Sequence, residues 1–149
     1  MKLRSSAFPD GGVIPKKYSR DAENINPQLR WDEIPKETQS FALIMEDPDI
    51  PPAAGVPVWD HWIVWNISPD FREIPENWTV IGMRGSGTRG ELDYGGPRPP
   101  DREHRYFFRL FALDQMLLLP EGSTKQVLLK EMEGKILDEA VLMGRFSPT

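Results

Sequence analysis

Residues 94–109 read Tyr-Gly-Gly-Pro-Arg-Pro-Pro-Asp-Arg-Glu-His-Arg-Tyr-Phe-Phe-Arg and hold one of only two histidines in the chain. Gly95 and Gly96 bend the backbone, and Pro97, Pro99 and Pro100 then stiffen it by fixing φ near about −65°. From His104 onward the run His-Arg-Tyr-Phe-Phe-Arg-Leu-Phe-Ala-Leu is rich in β-forming residues. A strand period of two puts His104, Tyr106, Phe108 and Leu110 on one face. A rigid loop that delivers His104 and Tyr106 to the same side of a strand reads as one wall of a ligand site.

The second histidine has the same setting. Val58-Trp59-Asp60-His61-Trp62-Ile63-Val64-Trp65-Asn66-Ile67 follows a proline-rich loop and predicts a strand over 61–67. On it His61, Ile63, Trp65 and Ile67 should share one face, with Trp62, Val64 and Asn66 on the other. Both faces are apolar, which predicts cover on both sides, as in a sandwich. A third strand is expected over 40–46, nearly all apolar and therefore central. At its exit lies Glu46-Asp47-Pro48-Asp49-Ile50-Pro51-Pro52, two carboxylates separated by a proline.

The chain of 149 residues, 39% hydrophobic, amounts to one domain over 1–149 with enough apolar content for its own core. Fifteen prolines argue against long helices, and the absence of cysteine excludes disulfides, thiolate metal sites and a cysteine nucleophile. The N-terminal residues lack a signal-peptide apolar run and nothing later approaches a membrane span, so a cytoplasmic protein is expected. A net charge of −5 speaks against nucleic-acid binding. The charge is uneven, however. Arg84, Arg89, Arg98, Arg102, Arg105 and Arg109 face only Glu91, Asp93, Asp101 and Glu103 in that stretch, a local balance of +2. Most of these arginines read as solvated loop surface, yet the field around the histidine loop favours an anion.

Residues 8–35 alternate turn signals with short apolar pieces and predict short strands near 10–15 and 26–31. Gly85-Ser86-Gly87-Thr88-Arg89-Gly90 has G-x-G-x-x-G spacing, but a dinucleotide site needs a helix to follow, and Glu91-Leu92-Asp93-Tyr94-Gly95-Gly96-Pro97 does not form one. The segment reads as a glycine-rich loop leading to the site. Ser123 with Gln126 three residues on has capping-box spacing and predicts a helix start. Apolar positions then continue on both sides of Gly134, which predicts two short helices or one broken there, with a possible closing strand over 141–146.

Asp47-Pro48-Asp49-x-Pro51, Trp59-x-His61-Trp62 and Gly96-Pro97-x-Pro99-Pro100-x-x-x-His104-Arg105-Tyr106, in this order, resemble the phosphatidylethanolamine-binding protein family. More narrowly they resemble its bacterial and archaeal, Raf-kinase-inhibitor-like branch. The resemblance runs from about residue 8 to 146 and implies an all-β, antiparallel Greek-key β-sandwich with short C-terminal helices. It also implies that three strand ends converge on a small pocket for phosphate-like and carboxylate anions. Asp47, Trp59, His61, Gly96, Pro99, Pro100, His104 and Tyr106 would line that pocket, with Asp49, Pro51 and Arg105 as structural neighbours. Protonated imidazoles would donate to the anion, Tyr106 would add a hydroxyl, Asp47 would orient an imidazole, and Asp49 would pair with Arg105.

The expected ligand is a phosphate, a phospholipid headgroup, a phosphorylated side chain or a carboxylate, bound without cofactor or metal. The resemblance further implies a regulator or inhibitor of a partner kinase or protease, not an enzyme; a homodimer through exposed aromatics on edge strands is possible. Read singly, either histidine is equally a half-buried strand residue satisfied by a carbonyl. The enzymatic alternatives are a small-molecule hydrolase using the same His/Asp pocket with a serine such as Ser86, and a two-histidine, one-carboxylate metal triad. Against these, no serine elbow and no short ligand spacing occur.

Overall fold

The computed structural model describes residues 1–78 and 81–149. Three short strands, β1 (Lys2–Arg4), β2 (Leu29–Asp32) and a later β5 (Glu73–Ile74), form one antiparallel sheet in the order β1-β2-β5. The larger sheet contains β3 (Ser40–Asp47), β4 (Trp59–Ile67), β6 (Met83–Arg84), β7 (His104–Leu113) and β8 (Ile136–Phe146). Its order is β6-β4-β3-β7-β8, again antiparallel throughout. β7 lies beside β3 and not beside β6, so the chain crosses over between its two halves.

β3 is buried along almost its whole length because both faces are covered. Phe41, Leu43 and Met45 pack with Trp62, Val64, Tyr106 and Phe108, against Leu3, Leu29, Trp31 and Ile74 of the small sheet. Ala42 and Ile44 pack on the other side with Ile63, Trp65 and Phe111, beneath Leu128 and Met132 of the helix α1 (Lys125–Met132). This is the β-sandwich with helical cover that the sequence predicts.

Several local expectations are corrected. There is one C-terminal α-helix, not two. Its cap is Thr124, whose Oγ1 accepts from the Val127 amide at 3.4 Å, whereas Ser123 Oγ donates to the Pro120 carbonyl at 2.7 Å. Gly134, at φ 77°, turns the chain out of the helix into β8. Residues 136–141, read above as resumed helix, are strand: β8 pairs with β7 from Leu113↔Ile136 to His104↔Phe146, and Ala140, Leu142, Gly144 and Phe146 are buried in alternation. Long-range pairing overrides the helical spacing. Residues 10–15 form no strand but a strap on β8, with Gly11 N donating to Met143 O and Ile14 N to Arg145 O. No helix follows the glycine-rich loop at 85–90. Among the described residues no helix is long and apolar enough to cross a membrane.

β4 also departs from simple alternation. Its pairing with β3 steps from Phe41↔Ile67 to Leu43↔Val64, so two residues of β4 oppose one of β3. Asn66 sits in this bulge at φ 54°, and Ile67 is thereby turned to the side of Trp62 and Val64. The Asn66 side chain closes the bulge by exchanging two hydrogen bonds with the Leu117 backbone, at 2.9 and 2.8 Å. Asn66→Ala should lower the unfolding free energy by about 2–4 kcal/mol, from two lost bonds and a non-glycine αL residue. Asn66→Gly should cost less, since only the bonds are lost. Denaturant unfolding of both variants checks this; equal losses would mean that the backbone angle carries no cost.

Candidate functional site

The site forms where β3 ends and β4 and β7 begin, three segments that antiparallel pairing brings to one edge of the large sheet. Asp47 pairs with Trp59, and Glu46 with both Asp60 and Phe107. A second bulge decides the orientation of His61. The register steps from Met45↔Trp62 to Glu46↔Asp60, which makes His61 the extra residue. Strict alternation, as counted in the sequence, would set it on the face of Ile63 and Trp65, which here is the α1 side. The bulge instead sets it beside Tyr106, ring centroids 5.3 Å apart and edge to face. Asp60 takes the opposite side, where the nearly buried Lys125 at the start of α1 lies 2.6 Å from it and 3.2 Å from Glu46. That clamp fixes two strand ends from behind.

Asp47 is 2% exposed. Its Oδ1 accepts from the Asp49 amide at 2.7 Å and its Oδ2 meets His104 Nδ1 at 2.6 Å. Burial pushes the Asp47 carboxyl above its ordinary value, and the bonds from His104 and the Asp49 amide only partly oppose this. His104 is wholly buried, and its Nε2 meets Asp101 Oδ1 at 2.7 Å. Both ring nitrogens therefore face carboxylate oxygens of this chain. Asp101, more exposed, is held below the usual carboxylate range by that contact with His104. Asp49 grips Arg105 through three bonds of 2.9 Å, one to its amide and two to its guanidinium, which hold the Asp49 carboxyl down at about 2. The expected Asp49–Arg105 pair is present.

The loop after Tyr94 closes the other side. Tyr94 Oη donates to the Tyr18 carbonyl at 2.9 Å, Gly96 N to Asn24 Oδ1 at 2.7 Å, and Arg20 N to the Pro97 carbonyl at 3.0 Å. Gly96 must be glycine, because a Cβ there would overlap the Tyr18 carbonyl oxygen. His61 Nδ1 meets the Gly95 carbonyl at 2.8 Å. Desolvation draws the His61 pKa down to about 4, with the Gly95 carbonyl opposing weakly. At neutral pH His61 is uncharged. Burial raises the Tyr106 phenol well above its ordinary value, and the Asp47 charge adds to this, so Tyr106 is neutral as well.

Together these groups line a cavity of about 430 Å³. All eight residues expected at the pocket, Asp47, Trp59, His61, Gly96, Pro99, Pro100, His104 and Tyr106, contribute to its wall. Pro51 joins them, while Asp49 and Arg105 stand outside as a brace. The sequence reading did not assign to the pocket Ile50, Ala53 and Ala54, which extend the apolar wall, nor Arg20, Arg89 and Arg98. Two of these arginines lie in the stretch whose positive balance is visible in sequence; Arg20 comes from the 8–35 segment, read only for its short strands and turns. Both His104 ring nitrogens are engaged by carboxylates, and desolvation favours the uncharged form of His61. Ser86, the candidate nucleophile, does not line the cavity; its Oγ contacts the Gly87 carbonyl. Among the described residues no three His, Asp or Glu side chains gather so as to hold a metal ion.

Comparison with known proteins places this architecture. The family model described as phosphatidylethanolamine-binding protein matches residues 4–147. A UPF0098 protein of Methanothermobacter thermautotrophicus is 45% identical over 152 residues, and one of Chlamydia trachomatis is 44% identical over 147; each match covers 98% of both chains. The crystal structure of a phosphatidylethanolamine-binding protein homologue from Chlamydia trachomatis superposes with a TM-score of 0.96 at 43% identity, over 99% of this chain and 97% of that one. E. coli YbcL, at 22% identity and a TM-score of 0.90, shares the fold over 99% of this chain and 98% of its own. With a buried Asp–His pair, a Tyr and a Gly/Pro wall at one sheet end, and with near full-length relatives, the chain belongs to the phosphatidylethanolamine-binding protein family.

Proposed function

We propose that the protein is a non-catalytic binder of small oxyanions, and that Asp47, Trp59, His61, Gly96, Pro99, Pro100, His104 and Tyr106 form its binding site. The observation that carries this reading is one cavity in which a polar floor, an apolar wall and three arginines meet. The wall of Ile50, Pro51, Ala53, Ala54 and Trp59 suits the apolar body of an ester, and Arg20, Arg89 and Arg98 set positive charge at its polar end. Each arginine has a carboxylate partner, Glu91 for the first two and Asp21 for the third, which moderates the field.

Binding without turnover fits the lining. Among the described residues Tyr106, neutral and buried, is the only hydroxyl in the lining, and no serine or threonine joins it. The ligand we assign is a phosphate group, carried by a free phosphomonoester, a phospholipid headgroup or a partner's phosphorylated side chain; a carboxylate is the lesser choice. We place the chain in the bacterial and archaeal, Raf-kinase-inhibitor-like branch, supported by the Gly96-to-Tyr106 motif and by relatives from an archaeon and from Chlamydia. On that basis its role is to regulate a partner kinase or protease through this pocket.

Titration with O-phosphoserine at pH 6, followed by amide NMR, should move Gly96, Arg98 and Tyr106 saturably while β8 stays still. No movement at tens of millimolar would refute the pocket. Asp101→Ala removes a negative charge and frees His104 Nε2 beside the cavity. We expect about three- to tenfold tighter O-phosphoserine binding, the scale of one charge-assisted hydrogen bond. Weaker binding by a variant with unchanged melting temperature would show that Asp101 supports the site instead of restraining it.

A further inference from the structure

We propose that His61 makes this cavity selective for oxyanions that bring their own proton, with hydrogen phosphate the simplest, and against sulfate, which has none to give. The inference rests on the oxyanion reading above and specifies which oxyanion.

It begins with the tautomer. The Gly95 carbonyl can only accept, so His61 Nδ1 must hold the ring's proton, and Nε2 is left with a bare lone pair. The orientation is held from several sides. Gly95 N donates back to the His61 carbonyl at 3.1 Å, which locks loop to strand, and the Tyr106 ring stands at 75° to the imidazole. Among the described residues Nε2 has no hydrogen-bond partner and is not one of the orphaned buried atoms, while His61 lines the cavity. The lone pair is therefore open to a guest.

No other histidine nitrogen competes for that guest. His104 is held by Asp47 and Asp101, and both Asp47 oxygens already accept, from the Asp49 amide and from His104. The groups around His61 keep it neutral. Desolvation is the largest influence, and Arg20 and His104 oppose a further positive charge; the Gly95 and Gly96 backbone favours one only weakly, and Tyr106 is an uncharged phenol.

Hydrogen phosphate and sulfate are both tetrahedral dianions. Hydrogen phosphate can give a P–OH proton to Nε2. Sulfate would set an oxygen lone pair against a nitrogen lone pair, or draw a proton from solution onto His61. With a His61 pKa of about 4, recruiting that proton at pH 7 lowers sulfate affinity by up to about a thousandfold, less whatever the bound charge returns. A phosphate monoester loses its last proton near pH 6 and should weaken above it, whereas inorganic phosphate keeps a P–OH throughout the neutral range.

The test is NMR titration of the full chain with inorganic phosphate, sulfate and phenyl phosphate, at matched ionic strength between pH 5 and 7.5. The His61 ring nitrogens are read directly. In the free protein at pH 7 they should show the neutral Nδ1–H form. Phosphate should bind at least tenfold more tightly than sulfate at pH 7.5, with the gap narrowing toward pH 5. Phenyl phosphate should weaken about tenfold between pH 5.5 and 7.5. Equal binding of phosphate and sulfate at pH 7.5, with Gly96 and Tyr106 shifting for both, would leave the oxyanion pocket standing and overturn the selectivity. Failure of all three probes to shift the cavity would remove both. His61→Gln can present an amide N–H to sulfate. Its phosphate-to-sulfate ratio should fall to about threefold or less; an unchanged ratio in a folded variant would also overturn the proposal. If that variant does not fold, the wild-type titrations decide alone.

Discussion

A carboxylate placed at the end of a strand buried on both faces constrains everything near it. Asp47 cannot be hydrated where β3 leaves it, and an unpaired charge there would cost several kcal/mol. Its two oxygens must find donors within the protein. One is the Asp49 amide, which forces the chain into a tight turn immediately after the strand. The other is His104, brought from 57 residues away. Satisfying one buried group thereby fixes the 47–52 loop against the start of β7, and Asp49 secures the same junction through Arg105.

This places cost and function on the same atoms. A site made only of free arginines would draw any anion and be screened by salt. Here the charges answer one another first: Asp47 and Asp101 hold His104, and Glu91 and Asp21 hold the arginines. Facing the cavity are these paired arginines, an apolar wall and the uncharged side chains of His61 and Tyr106. On the proposed reading such a site would give up electrostatic strength for discrimination, since each donor or acceptor has one direction and one sign.

The sequence was most legible where local chemistry and tertiary role agree. The apolar run of β3 had to be central, and the proline-bounded histidines had to lie near strand starts, His104 first in β7 and His61 third in β4. It was misleading where one inserted residue changes everything downstream. His61 reaches the cavity only because β4 carries a bulge beside it, and alternation counted from Ile63 assigns it to the wrong face. β8 shows a second kind of failure. Ile136, Leu137, Ala140 and Val141 fit a helical period by coincidence, and only the continuous edge offered by β7 makes them strand. Arg20 illustrates a third, since nothing near Tyr18 announces that Arg20 N will bond to the Pro97 carbonyl.

The two bulges on β4 are closed in different ways. At Asn66 the irregularity is closed by two hydrogen bonds to the Leu117 backbone, away from the cavity, and leaves no polar atom for a guest. At His61 it is closed by one bond to Gly95, and the second ring nitrogen is left open. A side chain with two hydrogen-bonding ends can give one to the fold and keep the other for a ligand. Imidazole is suited to this division, because fixing the proton on one nitrogen determines what the other can do. On the proposed reading, the fold sets the sign of that second nitrogen through a backbone carbonyl, without placing a charge on the ring.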